Sequence, residues 1–174
     1  MEYIFTFKYQ LTVADQDLQA VVERLGEAGC DDAVVGIGQP GRLALEFTRD
    51  GPTAAAAMRS ALADVQRAVP SARLVEAAPD LVGLTDVAQI AGVSRQNMRK
   101  LMLAYPHSFP APVHEGSTSL WHLADVLAWL DTKGGYALAA AAIEVATVAM
   151  QINVMKDQHR LNRDLGAALG TLPM

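Results

Sequence analysis

The sequence predicts an α+β protein, and three observations carry that prediction. Residues 1–80 read in the order strand, helix, strand, strand, helix, strand. Residues 84–104 read as two short helices around a tight turn, and residues 136–157 form an alanine-rich run that is apolar on almost every side. The 174-residue chain is long enough for one large domain or two small ones. Its 51% hydrophobic and 19% charged fractions belong to a folded chain rather than a disordered one.

The first strand covers residues 2–11. Tyr3, Phe5, Phe7, Tyr9 and Leu11 point one way, while Glu2, Thr6, Lys8 and Gln10 point the other. A period of two over that length is a half-buried strand. Leu18, Val21, Val22 and Leu25 then recur at helical spacing between Asp15 and Ala28, and Gly29 ends the helix. Residues 33–37 and 42–48 form two strands joined by the turn Gly38-Gln39-Pro40-Gly41. The spacing Gly36-x-Gly38-x-x-Gly41 also matches a dinucleotide fingerprint, but a strand follows where the pyrophosphate would need a helix N-terminus. A second helix over 53–69 buries Met58, Leu62 and Val65 and stops at Pro70, and residues 72–77 supply the last strand. This order is that of the ferredoxin-like split βαβ unit, here a βαββαβ domain over residues 1–80, bounded by Pro79-Asp80.

In the next segment Thr85 is the expected N-cap, with Val87, Ala88 and Ile90 giving the first helix its apolar side. Gly92 lets the chain turn, and Ser94 caps a second helix that Pro106 prevents from continuing. Val93, Met98, Leu101 and Met102 can face inward. Arg95, Gln96, Arg99 and Lys100 fall on the outward side. That is the layout of a helix-turn-helix, whose second helix enters the DNA major groove. Phe109-Pro110-Ala111-Pro112-Val113 is extended by its prolines. The turn Glu115-Gly116-Ser117-Thr118 leads to Ser119-Leu120-Trp121, which can return as the second strand of a small wing. Residues 122–130 close the unit with a helix that buries Leu123, Val126, Leu127 and Leu130, and Trp121 and Trp129 belong to its core.

Residues 84–130, about a quarter of the chain, resemble the MerR-type winged helix-turn-helix, most closely its AlpA-like and excisionase-like branch. The matching pieces are Thr85-Asp86-Val87-Ala88, Gly92-Val93-Ser94-Arg95, Phe109-Pro110-x-Pro112-Val113 and Val126-Leu127-Ala128-Trp129-Leu130. One departure is that Ser119, Leu120 and Trp121 are uncharged where the family often carries basic wing residues. The resemblance implies double-stranded DNA as partner of a winged unit over 81–132. The contact set is Ser94, Arg95, Gln96, Asn97, Arg99 and Lys100 on the helix, with His114, Ser117 and Thr118 on the wing.

After the break at residues 131–135, residues 136–157 read as one long helix. Glu144, Gln151 and Asn153 within it argue against a membrane span. A helix apolar on most sides must be buried by something. The expectation is a homodimer seam of Leu138, Ile143, Val145, Val148, Ile152 and Met155, followed by a tail over 158–174.

Charge is uneven along the chain. Residues 1–80 hold 12 acidic and 7 basic side chains, residues 81–174 hold 7 of each, and residues 87–114 hold three basic and no acidic ones. That modest patch predicts weak, salt-sensitive binding by one copy. His107, His114 and His122 lie in or beside the wing without cysteine partners or i, i+4 spacing, so no metal is expected. Asp31-Asp32 reads as a helix-to-strand turn. No nucleophile–base constellation, phosphate loop or paired carboxylates appear, so neither catalysis nor a cofactor is expected. Cys30 is alone and reads as a small core residue; no N-terminal stretch resembles a secretion signal, and both features point to the cytoplasm. The expected function is a sequence-specific, DNA-binding transcriptional regulator. Its alternative is an interaction protein, such as an antitoxin or phage-type accessory factor, whose acidic N-terminal domain grips a protein partner.

Overall fold

Strand β1 (Glu2–Gln10) is the spine of the main sheet, and its alternation sends Tyr3, Phe5, Phe7 and Tyr9 to one buried face. β3 (Arg42–Asp50) runs antiparallel along one side of β1 and sets Phe47 opposite Phe5, their rings stacked 5.3 Å apart. β4 (Arg73–Ala78) lies antiparallel on the other side, and β2 (Ala33–Gly36) flanks β3. The strand order is therefore β2–β3–β1–β4. The structure, a computed structural model, describes residues 1–161. Those residues form a mixed α+β fold with six α-helices, this four-stranded antiparallel sheet and a two-stranded one. Among them no helix is long and apolar enough to cross a membrane.

Two helices cover the buried face. α1 (Leu18–Glu27) starts at Asp17, whose carboxylate accepts from the N–H groups of Gln19 and Ala20, and α2 (Ala54–Ala68) starts at Thr53. Val21, Leu25, Met58, Ala61 and Val65 pack down onto the strands. The helix predicted from Asp15 begins three residues later, because Val13–Asp15 instead form a 3-10 turn. That turn buries the Asp15 carboxylate against Arg24 at 2.7 Å and against the Ser71 hydroxyl; the Arg24 and Ser71 hydrogen bonds hold its pKa below the usual range. Val22 is 39% exposed, so it does not belong to the inward set.

The Asp31-Asp32 turn is also structural. Asp32 receives the Arg49 guanidinium at 2.7 and 2.9 Å, and Asp64 receives its third nitrogen at 2.6 Å. Cys30 is buried beside this network, with its thiol pushed up to about 11 by burial and by the Asp64 charge.

A second core lies under the C-terminal half. β5 (Leu81–Val82) pairs antiparallel with β6 (Trp121–His122), and α3 (Leu84–Ile90), α4 (Arg95–Ala104) and α5 (Leu123–Lys133) gather around Val87, Met98, Leu123, Leu127 and Leu130. α5 runs through residues 131–133, where a break was expected, and stops at Gly134, whose φ of +75° suits glycine.

α6 (Ala140–Gln158) starts four residues later than predicted and belongs to both cores. Val145, Val148, Ala149 and Ile152 pack into the sheet core. Leu138, Ile143, Ala146 and Met150 pack against the second core. This corrects the dimer seam: an all-round apolar helix is taken up here by two cores of its own chain. Of the six seam residues only Met155, 63% exposed, still faces solvent substantially. Its polar residues are placed with equal economy. The Glu144 carboxylate accepts from the Tyr3 hydroxyl and the Ala54 N–H. Asn153 accepts from the Ala77 N–H at 2.9 Å, donates to the Ala77 carbonyl at 2.8 Å and donates to Asp80 at 2.7 Å.

The Pro79-Asp80 boundary is thus a junction and not a free linker. Asp80 is 1% exposed, takes His122 Nδ1 at 2.6 Å, and its carbonyl accepts from the Leu123 N–H. His122 is thereby the partner of a buried carboxylate. Residues 162–174 of the predicted tail lie outside the described residues.

Two outcomes follow from α6. Asn153→Ala strands three buried polar groups, each worth about 1–3 kcal/mol when unsatisfied. Urea denaturation should show a loss of about 3 kcal/mol or more, whereas exposed Gln151→Ala should stay within ~0.5 kcal/mol. Truncation after Lys133 opens both cores, so the shortened chain should lose its cooperative calorimetric transition. An unchanged melting profile would show α6 to be dispensable.

Candidate nucleic-acid interface

The predicted contact residues sit on α4 and on the loop that leads from it to β6. α3 begins one residue before Thr85, with Gly83 at its cap position. Thr85 is therefore not the cap: the Asp86 carboxylate reaches back to the Gly83 N–H at 3.0 Å and satisfies that end of the helix. Between the helices Gly92 takes φ +67°, and the Val93 N–H returns to the Ala88 carbonyl at 2.9 Å. Ser94 Oγ then accepts from the Asn97 N–H at 3.1 Å, the predicted N-cap of α4.

α4 is anchored by Met98, which is fully buried, with Val93, Leu101 and Met102 half-buried beside it. Its principal packing partner is α3. Ser94, Arg95, Gln96, Asn97, Arg99 and Lys100 are all exposed, and no side chain of the described residues forms an ion pair with Arg95, Arg99 or Lys100. Two hollows divide this set. Arg95 and Arg99 border a groove of about 860 Å³ between α4 and the wing loop, together with Ser117 and Thr118. Asn97 and Lys100 border a second hollow of about 560 Å³ on the other flank, toward Tyr105 and Tyr136. Gln96 lines neither. Asp86 and Glu115 also border the first groove, which moderates its positive charge.

The small hairpin predicted between Phe109 and Trp121 is reduced to one bridge. Only His114 and Leu120 form a bridge, with the Val113 N–H also reaching the Leu120 carbonyl at 2.8 Å. Pro110 and Pro112 lack the N–H groups a longer ladder needs. Trp121 belongs to the other pairing, with Leu81–Val82, and its Nε1 donates to the Pro110 carbonyl at 3.0 Å. His114, Ser117 and Thr118 are exposed on the loop. The His114 ring lies over Gly116, where a Cβ would meet Nε2 at 2.7 Å.

Behind the loop the aromatic rings form one cluster. Phe109 meets Trp121 edge-on at 6.2 Å and Trp129 at 5.2 Å, and Trp129 meets Tyr105 at 5.7 Å. Trp121 is buried, as expected; Trp129 is only half-buried, as the half-exposed wall of this cluster. Lys133 Nζ sits 3.1 Å from the Tyr105 ring centroid, a contact that sequence reasoning missed because the two positions lie on different helices. Among the described residues no three His, Cys, Asp or Glu side chains converge as a metal set, and His107, His114 and His122 stay apart.

Comparison of the chain with family models, with curated proteins and with solved structures finds no match in any of the three.

The cap fixes where α4 begins and hence where Arg95 and Gln96 stand. Ser94→Ala should cost about 1 kcal/mol in thermal or urea unfolding, and Ser94→Gly only a few tenths. Equal losses for the two would mean that the hydroxyl contributes nothing to the cap.

Proposed function

We propose that this chain is a sequence-specific, double-stranded-DNA-binding transcriptional regulator. In this reading α3 and α4 are the helix-turn-helix, residues 110–121 the wing, and residues 1–80 a ferredoxin-like domain with the βαββαβ order and the strand order β2–β3–β1–β4. The observation that carries it is the solvent face of α4. Five exposed polar or basic side chains, Arg95, Gln96, Asn97, Arg99 and Lys100, stand on a helix held from behind by Met98. Arg and Gln can pair bidentately with guanine and adenine edges, so this composition suits base readout. Arg95 and Arg99 share the wing-side groove and are assigned to bases; Lys100, on the other flank, is assigned to a phosphate. The wing loop's Ser117, Thr118 and His114 supply polar contacts to the DNA backbone.

The alternative, a factor acting through protein contacts, draws support from the acidic first 80 residues and from the open sheet face. Ile4 and Val34 are 61% and 70% exposed there.

Selection of bound sequences from a random duplex pool, followed by gel shift at two salt concentrations, separates the readings. Arg95→Ala should cost about 1–3 kcal/mol and relax specificity at one position. Lys100→Ala should weaken all sequences alike and lower the log–log salt slope by about 0.9. Equal, sequence-independent losses for both would remove the base-readout assignment. Absence of any shift at low salt would leave the protein-contact reading.

A further inference from the structure

The two edges of the main sheet are treated differently by the fold. On the β4 edge three backbone groups are taken up by side chains of α6. Asn153 takes both the N–H and the carbonyl of Ala77, and Lys156 Nζ donates to the Val75 carbonyl. On the β2 edge the pattern runs the other way. Thr48 donates to the Asp32 carbonyl, so with the Ala33–Phe47 register the groups of Val34 and Gly36 turn toward β3. The groups of Ala33 and Val35 turn outward. A turn bond to Cys30 uses the Ala33 N–H, while no hydrogen bond among the described residues uses the Val35 N–H or carbonyl.

β2 is short, at four residues, but it carries no other device that keeps an edge from pairing. Its sequence Ala33-Val34-Val35-Gly36 has no charge and no proline, no bulge interrupts its register, and Val34 is 70% exposed. We propose that β2 pairs antiparallel with β2 of a second copy of this chain, joining two four-stranded sheets into one of eight strands.

The strand is self-complementary in that register. With Val35 opposite its own copy, the free N–H and carbonyl of each Val35 exchange two hydrogen bonds, and the Ala33 carbonyl lies opposite Ile37 of the other copy. Asp31 falls opposite Gln39, so the acidic turns do not confront each other, and Asp32 is already held by Arg49. No partner of different sequence is needed to satisfy these groups. The two-fold axis is perpendicular to the sheet, which keeps both helix layers on one side. α1, the helix farthest from α6 in the layer, then comes beside its copy.

The pairing stands on backbone geometry; its use rests on the DNA-binding reading. The helix-turn-helix unit hangs from the β4 end of the sheet. Seven spacings of ~4.8 Å separate the outer β4 strands by about 34 Å. That is on the order of one turn of DNA, the separation that a two-fold regulator requires of its half-sites.

Light scattering on the full-length chain without DNA is the test. The expected result is a concentration-dependent rise to the mass of two chains, halved by Val35→Pro, whose missing N–H faces outward and leaves the β3 ladder intact. A wild-type chain that stays monomeric to high micromolar concentration would overturn the proposal, as would a folded Val35→Pro protein that remains dimeric. Should that variant fail to fold, Val34→Cys combined with Gly36→Cys decides. In this register each faces the other's copy as a non-hydrogen-bonded pair, with Cα atoms about 4.5 Å apart and within disulfide reach. A covalent dimer on oxidation supports the pairing, and none overturns it; buried Cys30 gives no background. Because no DNA is present, a dimer that binds no duplex fails only the DNA reading, and a monomer that does bind fails only the pairing.

Discussion

A single buried carboxylate holds the two halves of this molecule in register. Asp80 is 1% exposed, and a carboxylate buried that deeply needs hydrogen-bond partners. It finds them on two other segments: His122 at the start of α5 and Asn153 near the end of α6. Its carbonyl adds the Leu123 N–H at 2.7 Å. The segment that joins the main sheet to the unit of α3, α4 and α5 is therefore tied to both α5 and α6. Removing either partner would leave a buried acceptor unsatisfied, so the constraint acts on stability as well as on geometry.

α6 extends that constraint over a longer lever. One side of it enters the sheet core through Val145 and Ala149, and another enters the second core through Ala146 and Ile143. Its Asn153 closes the β4 edge, and its Glu144 caps α2. The helix thus acts as a beam shared by two units, and α4 stands at a fixed attitude to the sheet.

Much of this fold was legible because it follows period. The alternation of Tyr3, Phe5, Phe7 and Tyr9 gave β1, Thr53 and Pro70 bracketed α2, and Ser94 marked the start of α4. What period cannot carry is the partner of a buried polar group. Asp80, His122 and Asn153 are 42 and 73 residues apart in sequence, and each alone reads as an ordinary surface residue. The same blindness misplaced α6. An apolar helix announces that something must cover it, but its sequence is the same whether the cover is another copy or two cores of its own chain. In the candidate site, the exposed residues of α4 were legible from spacing, whereas their division between two hollows depends on where the wing loop and the Gly134–Tyr136 segment fall.

The charge distribution takes on meaning once the attitude of the halves is fixed. The acidic excess of residues 1–80 is partly consumed internally: Asp15 by Arg24, Asp32 and Asp64 by Arg49, and Glu76 by Lys8. These pairs also consume basic groups, so the net of −5 over the chain remains at the surface as repulsion toward any polyanion approached at random. Arg95, Arg99 and Lys100 offer attraction only when α4 is presented with the sheet unit held away. On the DNA-binding reading a rigid junction is what makes that discrimination possible, since a flexible tether would let the acidic half follow the basic one onto the duplex. Attraction confined to one orientation, against repulsion in the others, favours a specific complex over nonspecific coating. It also makes each of the three basic side chains a large fraction of the electrostatic contact that one copy can offer.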